Sequence, residues 1–178
     1  ASYFECGNVR TSHYDCTAYQ KCGECVQWNM KNKRPPLTAC GSYEVYAQLD
    51  FEGDASTGTQ GLDLDDTCYF PQVEALDAIH AEFPSATFIL NHRANFAQWK
   101  KSIDNWHDLR QRLRDCEIST LPKGKGGPGP MGDEELEKFY NNHISRVRQF
   151  VRSHPSHKLL EVTIDDPNAG TKMQNMFG

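Results

Sequence analysis

The sequence predicts an α/β chain in which a small parallel sheet is flanked by helices. Three observations carry that reading. The apolar run Ala86–Leu90 is too short for a helix and rich in strand formers; it passes through the polar turn 91–95 into a helical period at Phe96, Trp99, Ile103 and Trp106. A second strand-like run, Lys158–Ile164, leads through Asp166 and Pro167 into a segment whose apolar face is Met173, Met176 and Phe177. Between them, Asp133–Ser153 places Leu136, Phe139, Tyr140, Ile144, Val147 and Phe150 on one helical face. Strand, polar turn and helix in this order are the units of an α/β sheet, and such sheets bind ligands where strands end and helices begin. Only two strands are well signalled. The rest of the sheet is expected from Tyr43–Phe51 or from chain upstream of Ala1.

Composition narrows the class. A chain of 178 residues is long enough for one domain with a substantial core. A net charge of −5 argues against non-specific nucleic-acid binding. Mean hydropathy is −0.70, and no apolar run approaches the 18 or so residues of a membrane span. The chain begins at Ala1 rather than Met, so a processed product or a fragment is expected, and an anchor upstream is compatible with it.

The front segment, 1–42, is cysteine-rich. Five of the seven cysteines (Cys6, Cys16, Cys22, Cys25 and Cys40) precede residue 41; Cys68 and Cys116 follow. Weak hydrophobic patterning with crowded cysteines reads as a disulfide framework in an oxidising compartment. Two alternatives stay open at this point. One is a zinc site using Cys22 and Cys25 with Cys6, Cys16 or Cys40; the other is reduced, structural thiols. Loops and one short helix near Cys22–Met30 are expected here.

Further along, Lys33-Arg34-Pro35-Pro36 reads as a turn whose charges are solvated or touch a phosphate. Gly53–Asp66 is rich in Gly and Asp, without period, and reads as a flexible loop or lid. Pro71–Phe83 reads as a helix with Pro71 in its first turn and Val73, Leu76, Ile79 and Phe83 on its buried stripe. Asn95 is the expected N-cap of a helix from Phe96 to about Cys116, with its Trp and Leu stripe in the core. Leu121–Gly132 reads as a flexible loop in which Lys123 and Lys125 are anion contacts or solvated. His143 falls on the apolar face of the 133–153 helix and reads as a core histidine.

The central stretch, SATFILNHRANFAQWKKSIDNW, resembles the P-loop sulfotransferases that use PAPS (3′-phosphoadenosine 5′-phosphosulfate). The resemblance extends to YEVYAQLD at 43–50, CYFPQVEALDAIHAEF at 68–83 and KLLEVTIDDPNAGTKMQNMFG at 158–178, roughly half the chain in the family's order. It implies a P-loop NTPase-like fold and, with PAPS as co-substrate, transfer of a sulfuryl group to a hydroxyl or amine acceptor, a small molecule or glycan. It also implies a secretory setting, Golgi lumen or extracellular. Arg93 and Ser102 would hold the 3′-phosphate. Their nine-residue spacing is one longer than in many members, which makes Lys101 the alternative contact. His13, Glu44 and Asp50 are the candidates for the base that deprotonates the acceptor. The competing readings are a loop histidine, ordinary surface or capping acids, and an Arg93 paired with an acid such as Asp50 or Glu161. No metal is required by this chemistry. The family's 5′-phosphosulfate loop does not occur in this sequence; in the family it would lie just upstream of residue 1. A second reading, from another class, is therefore a non-catalytic scaffold or assembly subunit with protein partners.

Overall fold

The computed structural model describes residues 9–13, 15–17, 20–52, 68–106, 109–110, 113, 118 and 132–178, with the backbone alone at 13, 17, 20, 51 and 52. The loop expected at 53–66 lies outside the described residues, as does that at 121–132 apart from Gly132. The protein is mixed α/β, with two short parallel strand pairs and helices. The chain divides into two compact units, Ala1–Phe83 with Cys116–Ile118 and Pro84–Asp115 with Ser119–Gly178.

The first unit holds strands β1 (Thr11–His13), β2 (Asp15–Thr17), β3 (Gln20–Lys21) and β4 (Val45–Ala47) in the order β3-β2-β1-β4. β4 runs parallel to β1, with Thr11 opposite Val45 and His13 opposite Ala47. β5 (Phe51–Glu52) and β6 (Cys68–Tyr69) form a separate antiparallel pair. The expected short helix is α1 (Cys22–Lys31), whose buried residues include Cys22, Cys25, Val26 and Asn29. Asn29 Nδ2 donates to the carbonyls of Pro36 (3.0 Å) and Thr38 (2.7 Å) and so folds the following turn back onto the helix. Disulfides join Cys16 to Cys22 and Cys25 to Cys40. Each cysteine of the Cys22/Cys25 pair is thus taken up by a different partner, so the pair is no zinc ligand set here. Gly41 has φ +97°, and a Cβ there would lie 2.3 Å from the Tyr43 ring and 2.9 Å from the Cys16 carbonyl oxygen. Only glycine fits that approach. Arg34 lies over the Trp28 ring, 5.1 Å from its centroid.

The helix expected over 71–83 is broken. α2 (Pro71–Glu74) stops at Ala75 and α3 (Leu76–Glu82) restarts. Val73, Leu76 and Ile79 are buried as expected, but Phe83 is 41% exposed, because it stands past the last helical turn at the cap.

The second unit carries the element that positions the site. β7 (Thr87–His92) and β8 (Lys158–Thr163) pair in parallel over their whole length, Thr87 opposite Lys158 through His92 opposite Thr163. β7 runs two residues further than the apolar run suggested. Parallel neighbours need a long crossover; here it includes α4 (Phe96–Asn105) and α5 (Asp133–Ser153). Leu90 of β7 packs with Tyr140, Ile144 and Val147 of α5, and Phe96, Trp99 and Leu159 close over them. α4 ends at Asn105, short of the expected Cys116; of the residues beyond Trp106, Leu109, Arg110 and Leu113 are helical among those described. Trp106 is 61% exposed and not part of the expected core stripe. The last helix, α6 (Ala169–Phe177), begins two residues later than expected, with Asn168 as its N-cap. Asp166 instead accepts from the Asn168 amide (2.8 Å) and Lys172 Nζ (2.8 Å), bracing the turn.

Candidate functional site

β7 ends at His92, and Arg93 is the next residue. Asn95 then caps α4: its Oδ1 accepts from the Gln98 amide at 3.0 Å, while Gln98 Oε1 accepts from the Ala94 amide at 3.2 Å. These bonds satisfy amides at the helix entrance. They also hold the turn so that the Arg93 side chain lies against α4. Arg93 Nη2 is 3.4 Å from Ser102 Oγ, and Arg93 Nη1 is 2.9 Å from Asp165 Oδ1. The nine-residue spacing therefore does bring Ser102 to the guanidinium.

Around these groups opens a cleft of about 450 Å³. Gln98, Lys101, Ser102 and Asn105 supply the α4 wall, at offsets of zero, three, four and seven that share one helix face. Arg93 and Asp165 stand where β7 and β8 end, and Trp106 adds an aromatic ring at the end of α4. Two cations, one hydroxyl and two carboxamides face one carboxylate. Such a set suits an anion with polar groups attached, provided that the anion competes with Asp165 for Arg93.

Behind the cleft, the Arg93 carbonyl accepts from Tyr140 OH (2.6 Å), and His92 Nδ1 is 2.7 Å from the same oxygen. His92 Nε2 is 2.8 Å from Glu161 Oε1, and Arg148 makes two hydrogen bonds to the Glu161 carboxylate. Arg148 above all, with His92 adding to it, holds the Glu161 carboxyl at about 2. Glu161, an expected competitor for Arg93, is thus occupied elsewhere.

The three base candidates belong to the first unit. His13 lies in β1 opposite Asp15, and its side chain is outside the described atoms. Glu44 accepts from the Arg10 amide (2.8 Å), Nε (3.0 Å) and Nη2 (2.6 Å), and the Arg10 hydrogen bonds hold its carboxyl below the usual range. A carboxylate so engaged is a weak base. Asp50 is half-buried between β4 and β5. In the second unit, His143 stacks with Phe139, and its buried Nδ1 has no partner among the described residues. Burial, then Arg146, pushes its pKa down.

No family model, characterised protein or solved structure matches this chain. What the site can do rests on its own geometry. Of the cleft residues, Arg93, Lys101 and Ser102 follow from the sequence. The Gln98–Asn105 stripe was readable as a polar helix face but carries no chemistry on its own. Asp165, and behind the cleft the contact of His92 with Glu161, enter only through the register of β7 on β8.

Proposed function

We propose that the chain is a sulfotransferase-like domain of P-loop NTPase-like fold, whose cleft binds the 3′-phosphate of PAPS in sulfuryl transfer to a hydroxyl or amine acceptor, carbohydrate included. The observation that carries this is the Arg93 guanidinium and the Ser102 hydroxyl meeting at an open cleft, one delivered by a strand end and the other by the following helix. Arg93 offers a bidentate fork, Ser102 one hydroxyl, and Lys101 a further charge. Sulfuryl transfer is an in-line displacement in which the protein positions both ends and offsets charge, as in phosphoryl transfer. The base is proposed among His13, Glu44 and Asp50, of which Glu44 is engaged by Arg10. The disulfides fit an oxidising, secreted or extracellular setting, the Golgi lumen being one such place. No described helix is long and apolar enough to cross a membrane.

The test is calorimetry with adenosine 3′,5′-bisphosphate. A charge-assisted hydrogen bond contributes roughly 1.5–3 kcal/mol. Arg93→Ala is therefore expected to weaken binding by about tenfold to a hundredfold. Ser102→Ala should cost less, and Arg93→Lys should recover part of the loss, the fork being gone. Unchanged affinity in a folded Arg93→Ala protein overturns the phosphate role. The scaffold reading has one observation in its favour, the Arg93–Asp165 ion pair that already engages the guanidinium. Absence of nucleotide binding by the wild type would favour it.

A further inference from the structure

The side chains behind the cleft make a chain of contacts that the phosphate site does not itself require: Arg148 to Glu161, Glu161 to His92, His92 to the Arg93 carbonyl. We propose that His92, in the form with a proton on each ring nitrogen, is a positioning residue that clamps the Arg93 peptide and so presents the guanidinium to a phosphate in the cleft. The inference rests on the reading of that cleft as a nucleotide phosphate site.

The partners decide which form makes both contacts. His92 Nδ1 faces a backbone carbonyl oxygen at 2.7 Å, and Nε2 faces a carboxylate oxygen at 2.8 Å. A carbonyl oxygen only accepts. The Glu161 carboxylate, ionised under its Arg148 contacts, only accepts as well. Two acceptors need two N–H donors, and a neutral imidazole has one. The His92 side chain is 12% exposed, so water does not readily replace a lost contact. The Arg93 peptide is the joint between β7 and the Asn95 cap of α4, and its oxygen takes a second donor in Tyr140 OH at 2.6 Å. With both donors in place the joint is fixed. With a neutral ring, either the Arg93 carbonyl keeps Tyr140 OH alone or Glu161 keeps Arg148 alone.

The charged neighbours on the packed elements are few. β8 brings Glu161 opposite Leu90, and α5 brings Arg148 and Tyr140. α4 contributes Lys101 on the cleft and Lys100 held by Asp104, and Lys172 of α6 is held by Asp166. Tyr140 OH also donates to the Arg93 carbonyl and Arg148 to Glu161, but none of these groups bridges both acceptors as His92 does.

Two measurements on the full chain test this. Nitrogen NMR of the imidazole, without nucleotide, should show both His92 ring nitrogens protonated at acid pH. As the ring loses its proton, the Ala94 amide and the Arg93 Nε–H signals should move with the same midpoint. A ring neutral throughout, or a titration that leaves Arg93 and Ala94 unmoved, overturns the clamp. Adenosine 3′,5′-bisphosphate binding is then compared at each pH between wild type and His92→Gln, which cancels the ionisation of the phosphate itself. Wild type should bind about tenfold tighter at acid pH, the loss of one charge-assisted bond, and the advantage should vanish at alkaline pH. Parallel profiles overturn the positioning role. Tyr140→Phe removes the uncharged donor to the same oxygen and guards against a His92→Gln protein that fails to fold. It should steepen the pH dependence, and a flatter profile counts against the proposal. If wild type binds no nucleotide, the phosphate-site reading falls, while the spectra still decide the clamp.

Discussion

Among the described residues, the Arg93 guanidinium has two side-chain partners, Asp165 at 2.9 Å and the Ser102 hydroxyl at 3.4 Å. Asp165 is half-exposed, and exposed ion pairs contribute roughly 0.2–1 kcal/mol. Asp165→Asn removes the competing charge while keeping a polar side chain. It should tighten adenosine 3′,5′-bisphosphate binding up to about fivefold, with little change in thermal stability; weaker binding by calorimetry would show that Asp165 helps to hold the ligand rather than opposing it. Glu161 gives a pH signature. Its folded carboxyl sits at about 2, below the ordinary 4.5, chiefly through Arg148. Its contribution to stability is therefore fully present above pH 4.5 and is lost as pH falls towards 2. After allowance for the exposure of Arg148 this amounts to about 1 kcal/mol. Glu161→Gln should flatten the acid limb of a urea-unfolding series in that window, and an unchanged limb would deny Arg148 its role. At this scale the sequence shows Arg93, because a cation between an apolar run and a helical period is a local pattern. It does not show Asp165, which lies 72 residues from Arg93 in the chain and reaches it through strand register alone.

At the scale of elements, long periodic segments were legible and their ends were not. The helix expected from a cap at Asp133 to about Ser153 is found with Gly132 as the cap instead, since six apolar residues on one face define a helix that packing then fixes. The break at Ala75 and the early end of α4 were not readable, for helical spacing continues in the sequence past the point where the backbone leaves the helix. Strands β1 to β3 are two or three residues each, too short to display an alternation. Packing sets the cost of change along these elements. Leu136 is fully buried in α5, so Leu136→Ala should destabilise the chain by about 2–5 kcal/mol. Trp106, 61% exposed, should tolerate alanine within roughly 0.5 kcal/mol. Urea midpoints of the two variants check the pair, and equal losses would contradict the assignment of Trp106 to the cleft surface.

Over the whole molecule, the two units differ in what holds them. The second has a parallel strand pair under an aromatic and aliphatic cluster. The first has strands of two or three residues, described helices of ten, four and seven residues, and the disulfides; all described cysteines belong to it. Its core joins the disulfide cysteines to Val26, Leu37, Phe70, Val73, Leu76 and Ile79, and elements this short gain from cross-links. Closing loops of 6 and 15 residues restrains the unfolded chain by roughly 2 and 3 kcal/mol on the loop-entropy account. Their sum is a large fraction of what a small unit has to spare. Reduction is therefore expected to act on the first unit selectively. Amide exchange followed with and without a phosphine reductant should lose protection in α1, β1 and β4, and keep it in β7, β8 and the middle of α5. Thiol titration of the unreduced, denatured chain should find Cys16, Cys22, Cys25 and Cys40 unreactive. Those four reactive as thiols, or protection in α1 that survives complete reduction, would mean that the front unit is held by its core and not by its disulfides.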